Sequence, residues 1–310
     1  MYTNDLKKAY SCAVIFTILT GFSFLGIKLC IPYADTFHVL VHRFNFALLA
    51  LIILAVTKVV KLELRGKPKR NLLITASFYI VFILFQVMGM YYATSIEGSI
   101  IFAAVPIMVQ IIAAVFLHEK PTWVQTAFIL LSVCSLMIMV VLGSNEITFN
   151  PLGVILIFIS SIAMALNNVC SRYVRNQYTP IELSGAIIIL GTIVFNLIFI
   201  VRGFFVDQQG YFEPLQHLEF TIATCYLGVG CILLTAQIMA YMQCKLQSAK
   251  AAVFGNVGTA ISILAGALIL GEHLYVYHIV CSVLIVAGAL GLNFFGRRGG
   301  KNEVRISDGK

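Results

Sequence analysis

Apolar positions in this chain run in stretches of about twenty residues between short polar breaks, a length matched to the hydrocarbon thickness of a bilayer. Ten such stretches can be drawn: Tyr10–Cys30, Thr36–Val56, Leu72–Thr94, Glu97–Leu117, Trp123–Leu142, Leu152–Arg172, Ile181–Val201, Phe220–Tyr241, Lys250–Leu270 and Tyr275–Phe295. In lipid every backbone N–H and C=O must be satisfied within the protein. Barrel strands would show only short alternating segments, so runs of this length predict helices. The predicted fold class is an all-α integral membrane protein with ten transmembrane helices.

Composition agrees and narrows the choice. With 60% hydrophobic and 11% charged residues and a mean hydropathy of +0.96, the 310-residue chain cannot be a pair of soluble domains. Ten crossings leave about 110 residues for loops and termini, too few for an added catalytic domain. Cys12, Cys30, Cys134, Cys170, Cys225, Cys231, Cys244 and Cys281 are scattered through apolar stretches without CxxC pairing and read as packing residues. The first stretch follows Lys7 and Lys8 as a signal peptide would, but it is long for one and lacks a small-residue cleavage site, so it is expected to be retained.

Charge sets the expected orientation. With the N-terminus inside, all of the 21 Lys and Arg residues except Lys28, Arg43 and Arg202 fall on the cytoplasmic side, while the outer loops carry Asp35, Glu97, Glu146, Asp207, Glu213, Glu219 and Glu272. Both termini are therefore expected in the cytoplasm, in a multi-pass protein of the cell membrane. Topology accounts for the net charge of +8, and the basic stretch from Lys58 to Arg70 is expected to face anionic lipid, with no nucleic-acid partner.

The chain also repeats itself. SIEGSIIFAAVPIMVQIIAAVFLHE (Ser95–Glu119) aligns without a gap on SAKAAVFGNVGTAISILAGALILGE (Ser248–Glu272), matching the opening serine, a patch of small residues and the closing glutamate. This divides the protein into two five-helix halves, residues 1–145 and 146–310. An odd number of crossings per half sends the second half into the membrane from the opposite side. Such inverted repeats are the usual architecture of secondary transporters, with the solute site near the midplane where the halves meet.

Four stretches carry a further resemblance: TGFSFLGIK from Thr20, HRFNFALLALIIL from His42, SIEGSIIFAAVP…FLHEKPTWVQ from Ser95, and SAKAAVFGNVGTAISILAGALILGEHL from Ser248. Over nearly its whole length the chain resembles the drug/metabolite transporter superfamily, in its EamA-like bacterial branch of ten-helix carriers. The resemblance implies export or exchange of small metabolites, amino acids or drugs, coupled in some members to protons. Glu119 and Glu272 look like the family's repeated glutamate. Phe22 and Phe24 stand where many relatives have tryptophan and asparagine, so the resemblance names no substrate.

An ionisable group inside a span costs at least about 2.5 to 3.5 kcal/mol and demands a partner, a wet cavity or a short reach to the interface. Arg43 lies seven residues past Thr36, roughly 10 Å deep at the rise of an α-helix, with His42 adjacent and His38 one turn away. Two readings stand. Arg43 clamps an anion or pairs with Glu97, the histidines carrying protons; or it snorkels outward or braces helix carbonyls. Lys250, the repeat counterpart of Glu97, either snorkels or draws an anionic solute into the inner vestibule. Glu119 and Glu272 are expected to satisfy helix ends. Among uncharged groups, Gln86, Tyr91, Tyr92, Gln110, Asn167, Asn168, Gln237, Tyr241 and Asn256 are candidate solute-binding residues. Pro106 is expected to kink the fourth helix, whereas its counterpart is Thr259.

No GxxxxGK[ST] loop is present, so an ion or solute gradient is the expected source of energy. HExxH and facing acid clusters are likewise missing, and no metal, cofactor or catalytic residue is expected. The leading reading is a non-enzymatic secondary carrier with a small-molecule substrate and a lipid-bilayer setting, coupled to protons or a counter-solute, as monomer or homodimer. The alternative is an integral-membrane enzyme or a non-transporting membrane interaction protein.

Overall fold

The computed structural model describes residues 2–61, 67–116, 122–143, 150–174, 177–206, 210–245 and 248–307, among which there is no strand. Helix α1 runs Tyr2–Gly21, stops at Phe22 and resumes over Ser23–Cys30. It is followed by α2 (Thr36–Val56), α3 (Lys69–Met90), and α4, split into Ser95–Ala103 and Val105–Phe116. Then come α5 (Trp123–Gly143), α6 (Pro151–Val174) and α7 (Pro180–Gly203). Helix α8 comprises Leu218–Cys225, a π-helical stretch Tyr226–Leu234 and Thr235–Lys245; α9 is Ser248–Ile269 and α10 Val276–Ser307. Seven of these hold apolar windows long enough to cross a membrane, and α5, α9 and α10 supply the shorter apolar segments Thr126–Met139, Val257–Ile269 and Val276–Gly291.

Local sequence explains the starts and interruptions. Asp35 caps α2 by accepting the His38 N–H at 3.0 Å. Thr94 with Glu97 and Thr179 with Glu182 form capping boxes that open α4 and α7. Pro106 has no N–H to offer the Phe102 carbonyl four residues back, and the helix breaks between them, at Ala104.

Packing makes the internal symmetry visible. Helix α2 packs on α7, α4 on α9 and α5 on α10; α1 packs on α9 as α6 does on α4, and α3 on α6 as α8 does on α1. Exchanging each helix with the one five places along maps this set onto itself. Ser95 and Phe116, the ends of α4, each stand 153 positions before Ser248 and Ile269, the ends of α9. The protein is therefore built from two inverted five-helix repeats.

Small residues let the repeats touch. At the α4–α9 crossing, Ser99 donates to Ser262 at 2.7 Å, and a Cβ on Gly266 would stand 2.3 Å from the Ser95 hydroxyl. Side chains such as Ile52, Ile53, Ile193, Leu197 and Ile200 point outward from the bundle. In water such a surface would drive aggregation; in a bilayer it is the lipid-facing belt.

Hydrogen bonds tie each end. At one end Arg202 donates to Asp35, the Tyr91 hydroxyl to the Ala34 carbonyl, and the starts of α4 and α10 are drawn together through Glu272. At the other, Lys67 holds Glu182 at 2.6 and 2.7 Å, and the Tyr178 hydroxyl donates to the Pro68 carbonyl.

Candidate functional site

Arg43 projects from α2 into the interior, two turns from the helix start, and is only 2% exposed. That excludes the snorkelling reading: the guanidinium points into the protein interior. Helix α8 comes unusually close to it. A Cβ on Gly228 would sit 2.1 Å from the Arg43 carbonyl, so only glycine allows the two backbones this approach. The approach falls within the π-helical stretch Tyr226–Leu234, a distortion of the kind often found at functional sites. It brings the Leu227 carbonyl within 3.4 Å of Nη2, so one long bond of the expected bracing kind does form.

The remainder of the guanidinium is unsatisfied. Nε and Nη1 are buried without a hydrogen-bond partner among the described residues. The titratable side chains that interact with it electrostatically are Tyr79 of α3, Cys231 of α8 and Cys30 of α1. Both thiols are turned to helix carbonyls, Cys30 to Gly26 at 3.2 Å and Cys231 to Leu19 at 3.3 Å. Tyr79 opens an aromatic run through Phe82, Phe102 and Phe24, with successive ring centroids 5.2, 5.5 and 5.4 Å apart, which joins α3, α4 and α1. The site thus draws α1, α2 and α3 from one repeat and α8 from the other around a cation with donors to spare.

The expected pairing of Arg43 with Glu97 is not formed. Glu97 accepts from the Thr94 N–H at 2.8 Å and the Thr94 hydroxyl at 3.0 Å, held at its own helix start by the capping box. Glu272 completes that end: it accepts from the Ser95 N–H and hydroxyl at 2.8 Å each and from the Ile96 N–H at 3.0 Å. With Thr94 accepting from the Glu97 N–H at 3.1 Å, four successive N–H groups at the start of α4 are satisfied. One of the two carboxylates comes from the other repeat, and both complement the positive end of the helix dipole.

His38 and His42 share a face of α2, ring centroids 6.4 Å apart. The His38 Nδ1 lies 2.7 Å from Asp35, and the His42 Nε2 donates to the Tyr211 carbonyl at 2.9 Å. One turn further, Asn45 bonds the Tyr211 hydroxyl, which in turn donates to Asn196 at 3.1 Å. Burial pushes the Asp35 carboxyl upward, but the His38 and Arg202 hydrogen bonds outweigh it and hold the group well below the usual carboxylate range.

The uncharged candidates do not gather into one site. Asn167 donates to the Thr75 carbonyl at 2.9 Å and ties α6 to α3; Asn168 beside it is half-buried. Gln237 donates to the Ser184 hydroxyl at 2.9 Å, linking α8 to α7. Tyr91 and the half-exposed Tyr92 lie at the Asp35 end of the bundle, away from mid-span. Gln86 is buried on α3, Gln110 is half-buried on α4, and Tyr241 packs on α8 against the Ala9 and Met242 cluster. The side chains of Lys250 and Asn256, and Glu119 as a whole, lie outside the described residues. Tyr79 and Leu227 are the additions that the sequence reading lacked. Mid-span depth, ten residues into α3, is the signal that separates Tyr79 from the interfacial tyrosines.

Comparison with known proteins adds the context. The model of the EamA-like transporter family matches residues 7–141 and again 151–294. "Uncharacterized transporter YcxC" of Bacillus subtilis (strain 168) is 34% identical over 296 residues, covering 94% of this chain and 95% of that one. An "Uncharacterized transporter" of Archaeoglobus fulgidus is 25% identical over 269 residues, covering 86% and 92%. A solved structure titled "Crystal structure of protein" shares the fold at a TM-score of 0.66 with 15% identity, over 94% of this chain and 98% of its own.

Proposed function

From the premise that the chain belongs to the EamA-like transporter family, within the drug/metabolite transporter superfamily, we propose that it is a secondary carrier that moves a small solute by alternating access. The observation behind this reading is Arg43: a buried guanidinium, short of acceptors, where the two repeats meet. A membrane protein that keeps such a group against an insertion penalty of about 2.5 to 3.5 kcal/mol retains it for something other than folding. In an inverted repeat, a site at the seam can be opened from either side by rocking one half against the other.

On this reading the halves are residues 1–145 and 146–310, both termini lie in the cytoplasm of a cell-membrane protein, and the direction is export or exchange. The protein is no enzyme, and works as a monomer or homodimer. His38, His42 and Glu97 are the groups that would link transport to protons, with a counter-solute as the other source of energy. The buried Gln86, two turns beyond Tyr79 and about one turn from the end of α3, joins Arg43 as a candidate solute contact. Purified protein in proteoliposomes tests the reading. A solute picked by its stabilisation of the protein should exchange across the vesicle wall, and Arg43→Ala should reduce exchange far more than it reduces folded protein. Equal loss of both would refute it.

A further inference from the structure

The donor inventory around Arg43 limits what its ligand can be. A guanidinium stays charged and presents five N–H groups in a planar fork matched to a carboxylate. Here one N–H reaches the Leu227 carbonyl at 3.4 Å, while Nε and Nη1 have no acceptor among the described residues. An anion with two oxygens on one planar centre can take a side of that fork, and among the titratable neighbours Tyr79 offers a further donor, because the two thiols are turned to helix carbonyls.

The surroundings then limit the rest of the molecule. Of the described acidic groups at the span ends, Asp35 is committed to His38 and Arg202, Glu97 to Thr94, Glu182 to Lys67 and Glu272 to Ser95 and Ile96, while Glu219 is exposed in the first turn of α8, two turns before Leu227. No described carboxylate inside the bundle is therefore free to receive an ammonium group beside the bound anion. A second cation is also missing among Arg43's described electrostatic neighbours, so a second negative charge would be buried without a partner. What adjoins Tyr79 is the aromatic run Phe82, Phe102 and Phe24, which suits an apolar or aromatic body.

We propose that the Arg43 site takes a singly charged organic acid: one carboxylate on an apolar or aromatic body, with neither an ammonium group nor a second acid. The proposal rests on the carrier reading for the fate of the ligand, whereas binding itself can be tested apart from transport.

The experiment uses the full-length protein in lipid nanodiscs at pH 7 with four probes that share one body: 3-phenylpropionate, L-phenylalanine (the same acid plus an ammonium group), phenylsuccinate (plus a second acid) and 3-phenylpropanamide (no charge). Equilibrium binding should rank 3-phenylpropionate first, and chloride at equal ionic strength should not displace it. Charge-assisted bonds contribute about 1.5 to 3 kcal/mol, so Arg43→Gln should weaken its binding by about 10- to 100-fold. Tyr79→Phe should weaken it by less. An unchanged unfolding midpoint for Arg43→Gln shows that the loss is not misfolding. If that variant does not fold, Tyr79→Phe and the ranking of the four probes on the wild-type protein still decide.

Phenylalanine or phenylsuccinate binding as tightly as 3-phenylpropionate, undiminished binding to Arg43→Gln, or no binding of any probe would overturn the proposal. Arg43-dependent binding of 3-phenylpropionate without movement across a vesicle wall would uphold it and sink the carrier reading. Transport of phenylalanine indifferent to Arg43 would do the reverse.

Discussion

Replacing Arg43 by methionine separates a residue kept for a ligand from one kept for the fold. Methionine fills much of the same space and carries no charge. The substitution forfeits one hydrogen bond to the Leu227 carbonyl, which at 3.4 Å is long and contributes at most about 1.5 kcal/mol. The void left by the shorter side chain costs less than about 1.5 kcal/mol. Against these stands relief of the burial penalty of about 2.5 to 3.5 kcal/mol for an ion whose Nε and Nη1 have no acceptor among the described residues. The balance runs from about −0.5 to about 3 kcal/mol in favour of the variant. If Arg43 instead holds the bundle together, removing it breaks a buried polar pair and costs about 3 to 5 kcal/mol. Unfolding of wild-type protein and Arg43→Met in one detergent, without added solute, distinguishes these outcomes. The expected result is a variant about as stable as the wild type or more so, but inactive in transport; a variant less stable by about 3 kcal/mol or more would refute the reasoning.

Other perturbations test other parts of the structure. A cysteine introduced at Glu213 should react with an impermeant maleimide added to whole cells and one at Val59 should not; the reverse pattern overturns the orientation. Because the folded Asp35 carboxyl titrates below its unfolded value, its stabilisation is present above about pH 4 and fades as pH falls towards the folded value. Asp35→Asn should thus lower the unfolding midpoint at pH 7, with the gap from wild type closing in acid; a gap that widens in acid contradicts the assignment. Glu272→Gln replaces a carboxylate that accepts three hydrogen bonds at the start of α4 and should cost about 1 to 2 kcal/mol in unfolding. Gly266→Ala drives a Cβ against Ser95 and should cost about 1 to 3 kcal/mol; an unchanged midpoint in either variant removes the α4–α9 junction from the account.

What was legible in the sequence is what the bilayer dictates. Apolar length gave the ten helices, and the gapless match of Ser95–Glu119 to Ser248–Glu272 gave the symmetry, because α4 and α9 must present the same small-residue faces to each other. Pro106 foretold the break in α4, since a missing N–H is a local fact. Glu272 was foreseen at a helix end, although the helix it serves belongs to the other repeat. Arg43 was visible as a charge in the wrong solvent, but its neighbours depend on how four helices rotate about their axes, which apolar spans leave open. The pairing with Glu97 failed because Thr94, three residues away in sequence, captures that carboxylate locally. The π-helical stretch Tyr226–Leu234 has no compositional signature; Gly228, which makes the close approach possible, reads in sequence like any small residue.

Solute passage at the seam of the two repeats by way of Arg43 is the step on which the proposed carrier depends. Its most direct test is counterflow in proteoliposomes, using labelled 2-phenylethanesulfonate, a singly charged analogue that can turn two of its three oxygens to the guanidinium as a carboxylate does, stays ionised and does not leak through lipid as a neutral acid. Vesicles loaded with the unlabelled compound should accumulate label transiently when they contain the wild-type protein, and at the protein-free rate when they contain Arg43→Gln. Label uptake by wild-type vesicles no faster than by protein-free ones, or equally fast with the variant, would contradict the account.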